Sequence, residues 1–566
     1  MSAVARMPLT AADDASLPGF VLARALAEPA RTILRAKRLG VWKELTGAEL
    51  TRAVADCAAG LAGLGLKPGE TLGILAAPSP QWLIADLGAQ SAGALAAGFH
   101  AEAAPGELAA LVARCRTRIL VVDTLAALDA ALDLRDATSG IAKIVCFDGV
   151  AAAETGDPDV IAFDALLAAG AAASTRTDAP WRSAAGDTLA AIMPTSGLSA
   201  PSRAAQFSHD ALRVAVDAAL SMIDLRAGEE RLSIMPASHA FERVFGFYAC
   251  MVAGVTVNFP ESAETIPENL RELQPQIVSG APALWSGFAR RLARASAGAT
   301  KFQHRLFESA MHGSGAFGSL VLKKVRRDIG LSRARLALSA GAPLAPYAAD
   351  RLAALGVPVT DVYSVAEAAG AVAIARGRAR EFSIARGASF EIDADGALRL
   401  RSAALCAAFA GESPRKGDWF EAGDLAEARG GAFALHGARD AAIGGATPAW
   451  RIEDELAASP YILSAVVSGD APDRLAAVIF ADYDSVVQHA QKNAIPFTHY
   501  KSLMEASEIR TLIGQEVERI NAALKTARIA DFSIADRPVG AGDPLLGPAM
   551  NMRRRLVHKS FGVRGS

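Results

Sequence analysis

Three stretches of the chain hold residue types whose chemistry goes beyond packing. TSGLSAPSRAAQFSH (195–209) is rich in small and hydroxylated residues and carries one cation, Arg203. Backbone N–H groups and Thr/Ser hydroxyls in such a loop can hold phosphate oxygens. Taken alone, such a stretch is more often an ordinary turn. A G-x-G-x-x-G falls at Gly313, Gly315 and Gly318. It follows a helical pattern, KFQHRLFESAMH, where a dinucleotide fingerprint needs a strand, and no acidic residue stands about 20 positions on. It reads as a flexible connection. The run with Arg553, Arg554 and Lys559 reads as a solvated basic face or a membrane-surface contact. The patterns G-x-x-x-x-G-K-[ST] and G-x-S-x-G do not occur, which argues against a P-loop NTPase and a serine hydrolase.

The elements around the 195–209 stretch suit a ligand loop. LAAIMP before it predicts a strand, and SHDALRVAVDAALSM after it predicts a helix capped by Ser208. The same rhythm runs through the first two thirds of the chain. LTGAELTRAVADCAAGLAGLG (45–65) predicts a helix with Thr46 as N-cap, TLGILAA a strand, and QWLIADLGAQSAGALAAG a second, alanine-rich helix. RILVVD, KIVCFD, VTVNF, PQIVSG, RLALSAG and VPVTDVY follow as short apolar strands. Buried strands alternating with helices predict an α/β fold with parallel sheets wound as βαβ units.

Beyond about residue 390, FEIDADGALRLRS and DWFEAGDLAEARGGAFALHG predict glycine-turned hairpins and a β-rich subdomain. From 451 a new α/β pattern begins, ending in a helix with Ile509, Leu512, Ile513, Val517, Ile520 and Leu524 on one face. The change places a domain boundary near 437–445, giving a large domain over 1–437 and a small one over 438–566.

Composition narrows the class. The 566 residues are 51% hydrophobic and 21% charged, as in a globular protein of several domains. A net charge of -2 offers no basic surplus for nucleic acid. The five cysteines form no CxxC pair and fit no zinc template, so they read as buried, reduced thiols. The first residues do not read as a signal peptide, and apolar runs stop short of a membrane span, so the expected location is the cytoplasm.

Four ordered blocks carry a resemblance. SIMPASHAFERVFGFYACMVAGVTVNF (233–259), IPENLRELQPQIVSGAPALW (266–285), LALSAGAPLAPYAADRLAALGVPVTDVYSVAEA (336–368) and DWFEAGDLAE (418–427) occur in order over most of the chain. They are similar to blocks of the AMP-forming adenylating enzymes, and within these of the long-chain fatty acyl-CoA ligases. The resemblance implies that ATP and a fatty acid or other hydrophobic carboxylate give acyl-AMP and pyrophosphate. Coenzyme A then displaces AMP after the small domain rotates about a hinge near Asp440. It implies phosphate contacts from Thr195, Ser196, Gly197, Ser199 and Arg203. Gly341, Ala342 and Pro343 would lie along the adenine with Asp361 and Tyr363 nearby. Glu367 would ligate Mg2+, Asp424 would accept from the ribose, and His239, Phe241 and Phe245 would border the acyl tunnel. On spacing alone, Glu367 reads equally as a helix-dipole carboxylate, Asp424 as a turn cap and His239 as a core histidine.

The sequence also departs from the family pattern. TSGTTGxPKG has become TSGLSAPSRA, with Arg203 for the lysine and alanine for two glycines. The threonine of YGxTE has become Ala366, and the hinge arginine has become Ala438. The loop after the hinge is about four residues short, counted from the helix signal RIEDEL. In LLGPAMNMRRRLVHKSF (545–561), Asn551 stands where the family has the lysine that drives adenylation. Losing such a donor costs about 10²–10³ in rate. Two readings therefore stand: a fatty-acid-activating ligase with altered catalytic residues, or a noncatalytic homologue that binds an acyl ligand, nucleotide or partner protein.

Overall fold

The computed structural model describes residues 16–173, 184–196, 201–297, 300–313, 315–376, 381–443, 447–469, 471–524, 527–540, 543–546 and 552–561. Among these, two large sheets form the body. The eight-stranded sheet runs Ala408–Phe409, Ala204–Ser208, Leu189–Pro194, Leu95–Gly98, Thr71–Leu75, Thr117–Val122, Lys143–Cys146, Val160–Ala162. Its strands from Leu189–Pro194 onward are parallel, as the alternating pattern predicts. The thirteen-stranded sheet has a parallel core, in which Ile277–Gly280, Leu336–Ala340 and Val359–Val365 lie side by side. It continues into the antiparallel hairpins of residues 370–438.

The helix Pro80–Ser91 lies between the sheets, touching Leu95–Gly98 and Thr71–Leu75 of one and Thr32–Arg38 of the other. Trp82 to Ser91 are buried on every side, which explains the alanine and glycine content. The helix is shorter than the sequence predicts. It ends at Ser91, Gly93 adopts φ +76°, and Leu95–Gly98 is a buried parallel strand. A strand buried on both faces carries no alternation, so Leu-Ala-Ala-Gly cannot be told from helix by periodicity. Elsewhere local signals hold: Thr46 and Glu49 form a reciprocal capping box on Gly47–Gly63.

Two fully buried arginines tie the interior together. Arg243 is ion-paired with Asp86 and donates to Ile192 O and Ala96 O, both at 3.0 Å, and to Tyr248 Oη at 2.9 Å. Arg231 grips Glu242 with two bonds of 2.8 Å, while Ser233 donates to the same carboxylate at 2.6 Å. Glu242 and Arg243 open a π-helical stretch, Glu242–Ala249, of which every residue is buried.

The C-terminal region has its own sheet, Ile462–Ser468, Leu475–Ala481 and Ile529–Ile534, and its own core with Leu456, Ile479, Ile513 and Val517. Ile509, Ile513, Val517 and Ile520 are buried as the helical spacing predicts, with Leu524 packed alongside, whereas Leu512 is only half-buried and lies outside that core. All five cysteines are buried and unpaired. No helix among the described residues is long and apolar enough to cross a membrane.

Candidate active site

The stretch at 195–209 is not a strand–loop–helix unit. Ala204–Ser208 is a strand antiparallel to Leu189–Pro194, so the loop is the tip of a hairpin, and the helix His209–Met222 starts at its far end. The predicted cap holds, with Ser208 Oγ accepting from Ala211 N at 3.2 Å, but that helix terminus is not beside the loop. A five-residue strand whose alanines are buried on both faces gives little alternation to read. The hairpin is laced at its base: Thr195 N–H donates to Arg203 O (2.8 Å), Arg203 N–H to Thr195 Oγ1 (2.9 Å) and Ser202 Oγ to Thr195 O (2.7 Å). Ser196 is exposed at the tip. Gly197 and Ser199 lie outside the described residues, as does Asn551.

Arg203 is held from two sides. The strand Ala408–Phe409 pairs with the outer edge of Ala204–Ser208 and brings Phe409 beneath the guanidinium, 3.2 Å from ring centroid to Cζ. Glu412 then accepts two bonds from it, at 3.0 and 2.6 Å. That hydrogen-bonded pairing lowers the Glu412 carboxyl below its ordinary range.

Glu367 sits on a one-turn 3-10 helix at the end of Val359–Val365, and its carbonyl accepts from Cys406 N at 2.8 Å. Burial pushes its carboxyl up; the charge of Arg203 opposes this and that of Asp424 adds to it. Asp424 comes from the long strand Trp419–Arg429 and takes the Tyr363 hydroxyl on Oδ2 at 2.6 Å. Burial, and then Asp424, push Tyr363 well above the usual phenol range, so it stays a donor. The structure thus gathers Arg203, Tyr363, Glu367 and Asp424 in one electrostatic neighbourhood.

Next to it, Pro343, Pro346, Asp361 and Phe382 line a cleft of about 480 Å³ together with Trp450, Arg451 and Glu455 of the C-terminal region. Gly341 turns the chain with φ +98° and Ala342 is exposed. A Cβ at Gly341 would stand 3.5 Å from His239 Nε2. His239 Nδ1 accepts from Phe241 N at 3.3 Å, and burial pulls the ring down to about 4. It is therefore neutral at pH 7, with its proton on Nε2 toward Gly341. Phe241 and Phe245 are fully buried and stacked, centroids 4.8 Å apart.

Asp440 falls in the turn Arg439–Ala441, its side chain outside the described set. Across that turn, Trp450 Nε1–H donates to His436 O at 2.8 Å and packs on Gly437. Sequence reasoning missed four neighbours of this site. Phe409 arrives on a two-residue strand and Glu412 on the turn just after it, and Glu107 bonds the Ser202 N–H at 3.4 Å from a helix with no motif. His100 shares a 2.7 Å bond with Ser238 and is held near 3 by burial and then by His239. Only Glu107 had a local signal, as an acid in a first helical turn after Pro105-Gly106.

Comparison with known proteins identifies the arrangement. The fold matches that of adenylation domains: the A domain of carboxylic acid reductase from Segniliparus rugosus superposes with TM-score 0.78 at 17% identity, covering 97% of this chain and 93% of that one. The anthranilate CoA ligase AuaEII, solved with anthranoyl-AMP, superposes at 0.73 and 16% identity, covering 96% and 97%. Residues 22–389 match the AMP-binding enzyme family, and the chain belongs to it. Among curated relatives, the long-chain-fatty-acid–CoA ligase FadD15 of Mycobacterium tuberculosis is 24% identical over 98% of this chain and 97% of its own. ACSBG2 of Gallus gallus, named as the same kind of ligase, is 23% identical over 93% and 78%.

Proposed function

We propose that the protein is a fatty acyl-CoA ligase-like member of its family, activating a long-chain carboxylate with ATP and passing it to coenzyme A. The observation that carries this reading is the convergence of Arg203, Tyr363, Glu367 and Asp424 beside the two-sided cleft at Pro343 and Asp361. Thr195, Ser196, Gly197, Ser199 and Arg203 take the phosphates, Asp424 the ribose, and Gly341 to Pro343 the base. Glu367 would hold Mg2+, and the bound ion would favour the ionised carboxylate against the burial that pushes its carboxyl up. There the metal would neutralise phosphate charge. His239, neutral with a proton on Nε2, offers a donor at the wall shared with Phe241 and Phe245. Residues 1–437 act as the main domain and 438–566 as the smaller one, turning near Asp440. The separate core of the C-terminal sheet supports that division.

A second reading is favoured by one observation. The guanidinium of Arg203, the loop's cation, is already engaged by Glu412 and Phe409, which suits a homologue that binds ligand without consuming ATP. Pyrophosphate release with ATP, Mg2+ and a fatty-acid panel separates the two. Turnover abolished by Glu367→Ala supports the ligase. Background rates in wild type, with no ATP binding by calorimetry, refute it.

A further inference from the structure

The basic run at the C-terminus divides its labour. Arg554 turns inward, paired with Glu453 and donating to Val467 O at 3.0 Å, so it belongs to the C-terminal core. Arg553 reaches outward across 446 positions of sequence to Glu107, on the helix Pro105–Arg114 of the main body. Their side chains are only 17% and 13% exposed, which removes most of the solvent screening that makes open surface pairs weak. The Glu107 charge is further favoured by its place in the first helical turn. Its second oxygen accepts the Ser202 N–H at 3.4 Å, and Ser202 Oγ in turn holds Thr195 O at 2.7 Å. One carboxylate therefore joins Arg553 to the base of the phosphate-loop hairpin.

Arg553 is itself anchored. Its N–H donates to Leu545 O at 2.8 Å, Leu546 and Met552 form a bridge, and Leu545 and Val557 pack with Val466, Val478 and Phe480. A second contact runs from Arg294 to Asp482, whose other oxygen caps the helix Tyr483–Lys492.

We infer that Glu107 and Arg553 form a docking clamp that seats the C-terminal segment against the base of the phosphate-loop hairpin. Arg553 is thus a positioning residue for the chemistry at that loop. The catalytic consequence rests on the ligase reading; the clamp itself does not.

The test uses the full chain with spin labels at Asp129→Cys and Glu505→Cys, both exposed, while the native cysteines are buried. Wild type should give one narrow distance population. Glu107→Gln and Arg553→Gln should each deplete it about tenfold, and Glu107→Arg combined with Arg553→Glu, which regains the ion pair but neither the helix-terminus nor the Ser202 contact, should restore it in part. Pyrophosphate release should fall about tenfold in the single variants with the dissociation constant for ATP unchanged, and stay low in the exchanged pair, where Arg at 107 cannot accept the Ser202 N–H. A distance distribution unchanged in both single variants overturns the clamp, whatever the turnover. Distances that respond as expected in a chain releasing no pyrophosphate uphold the clamp and count against the ligase reading instead.

Discussion

Replacing Arg243 by methionine tests how the scaffold holds the site. The substitution keeps most of the buried volume and removes the charge. Asp86 would be left fully buried with only Gln90 Nε2, at 2.9 Å, and the Tyr248 hydroxyl as donors. The carbonyls of Ile192 and Ala96 would each lose a bond of 3.0 Å. Breaking a buried pair from one side typically costs about 3–5 kcal/mol, because the remaining charge keeps its desolvation penalty. Arg243→Met with Asp86→Leu should recover most of that loss, since no uncompensated charge remains. Urea unfolding followed by tryptophan fluorescence and far-UV circular dichroism reads the effect; Trp82, one of six tryptophans, is fully buried with the guanidinium 5.5 Å from its ring centre. The transition that exposes Trp82 should move to lower urea at unchanged slope, while that of the C-terminal core stays put. A loss below about 1 kcal/mol in Arg243→Met, or a double variant no better than the single, would refute the assignment of this pair as a one-sided penalty.

Glu412→Gln should release Arg203 and lower the dissociation constant for ATP about two- to fivefold at low salt while leaving adenosine unchanged; an equal gain for adenosine removes the charge explanation. His100 and His239 are held near 3 and 4, so the fold prefers both rings neutral. Their contribution is complete above the unfolded value near 6.5 and is lost as pH falls toward 4, so His100→Asn should flatten the stability profile between those values, measured by urea midpoints. Glu367 has the opposite sense: its raised pKa means the fold prefers the protonated acid, a preference lost as pH rises. Glu367→Gln should therefore make the ligand-free protein more stable at pH 7, and equal urea midpoints would contradict the shift. Thr46→Ala should cost about 1 kcal/mol through the lost capping box, checked by the same denaturation series.

Elements with a strong local signature were readable, and those defined by partners far along the chain were not. Thr46, Ser208 and the glycine-turned hairpins announce themselves within a few residues. The buried strands from Thr71 to Cys146 show as short apolar runs between helices. Leu95–Gly98 fails that test because its environment is apolar on both faces, which erases the period. Ala204–Ser208 fails because what makes it a strand is pairing with Leu189–Pro194 on one side and Ala408–Phe409 on the other. The same non-local pairing hid Glu412, since nothing near it in sequence points to an arginine 209 positions away. The FER segment carried the right positions with a different emphasis: Glu242 and Arg243 are core ion pairs that brace the strands leading into the site.

The ion pairs also bear on Asn551. A neighbouring cation could take the place of the family's lysine only if its own charge were not already committed. Arg554 is paired with Glu453 inside the C-terminal core, and Arg553 is paired with Glu107 at the hairpin base. Moving either toward a phosphate would strip a partly buried carboxylate of its partner, a penalty that the new contact must first overcome. Arg203 is tied to Glu412 in an exposed pair that is weak enough to exchange. Competition from a polyphosphate is thus cheapest at Arg203 and dearest at Arg553. Arg553 and Arg554 are therefore committed to Glu107 and Glu453, and a phosphate recruits Arg203 at lower cost than either.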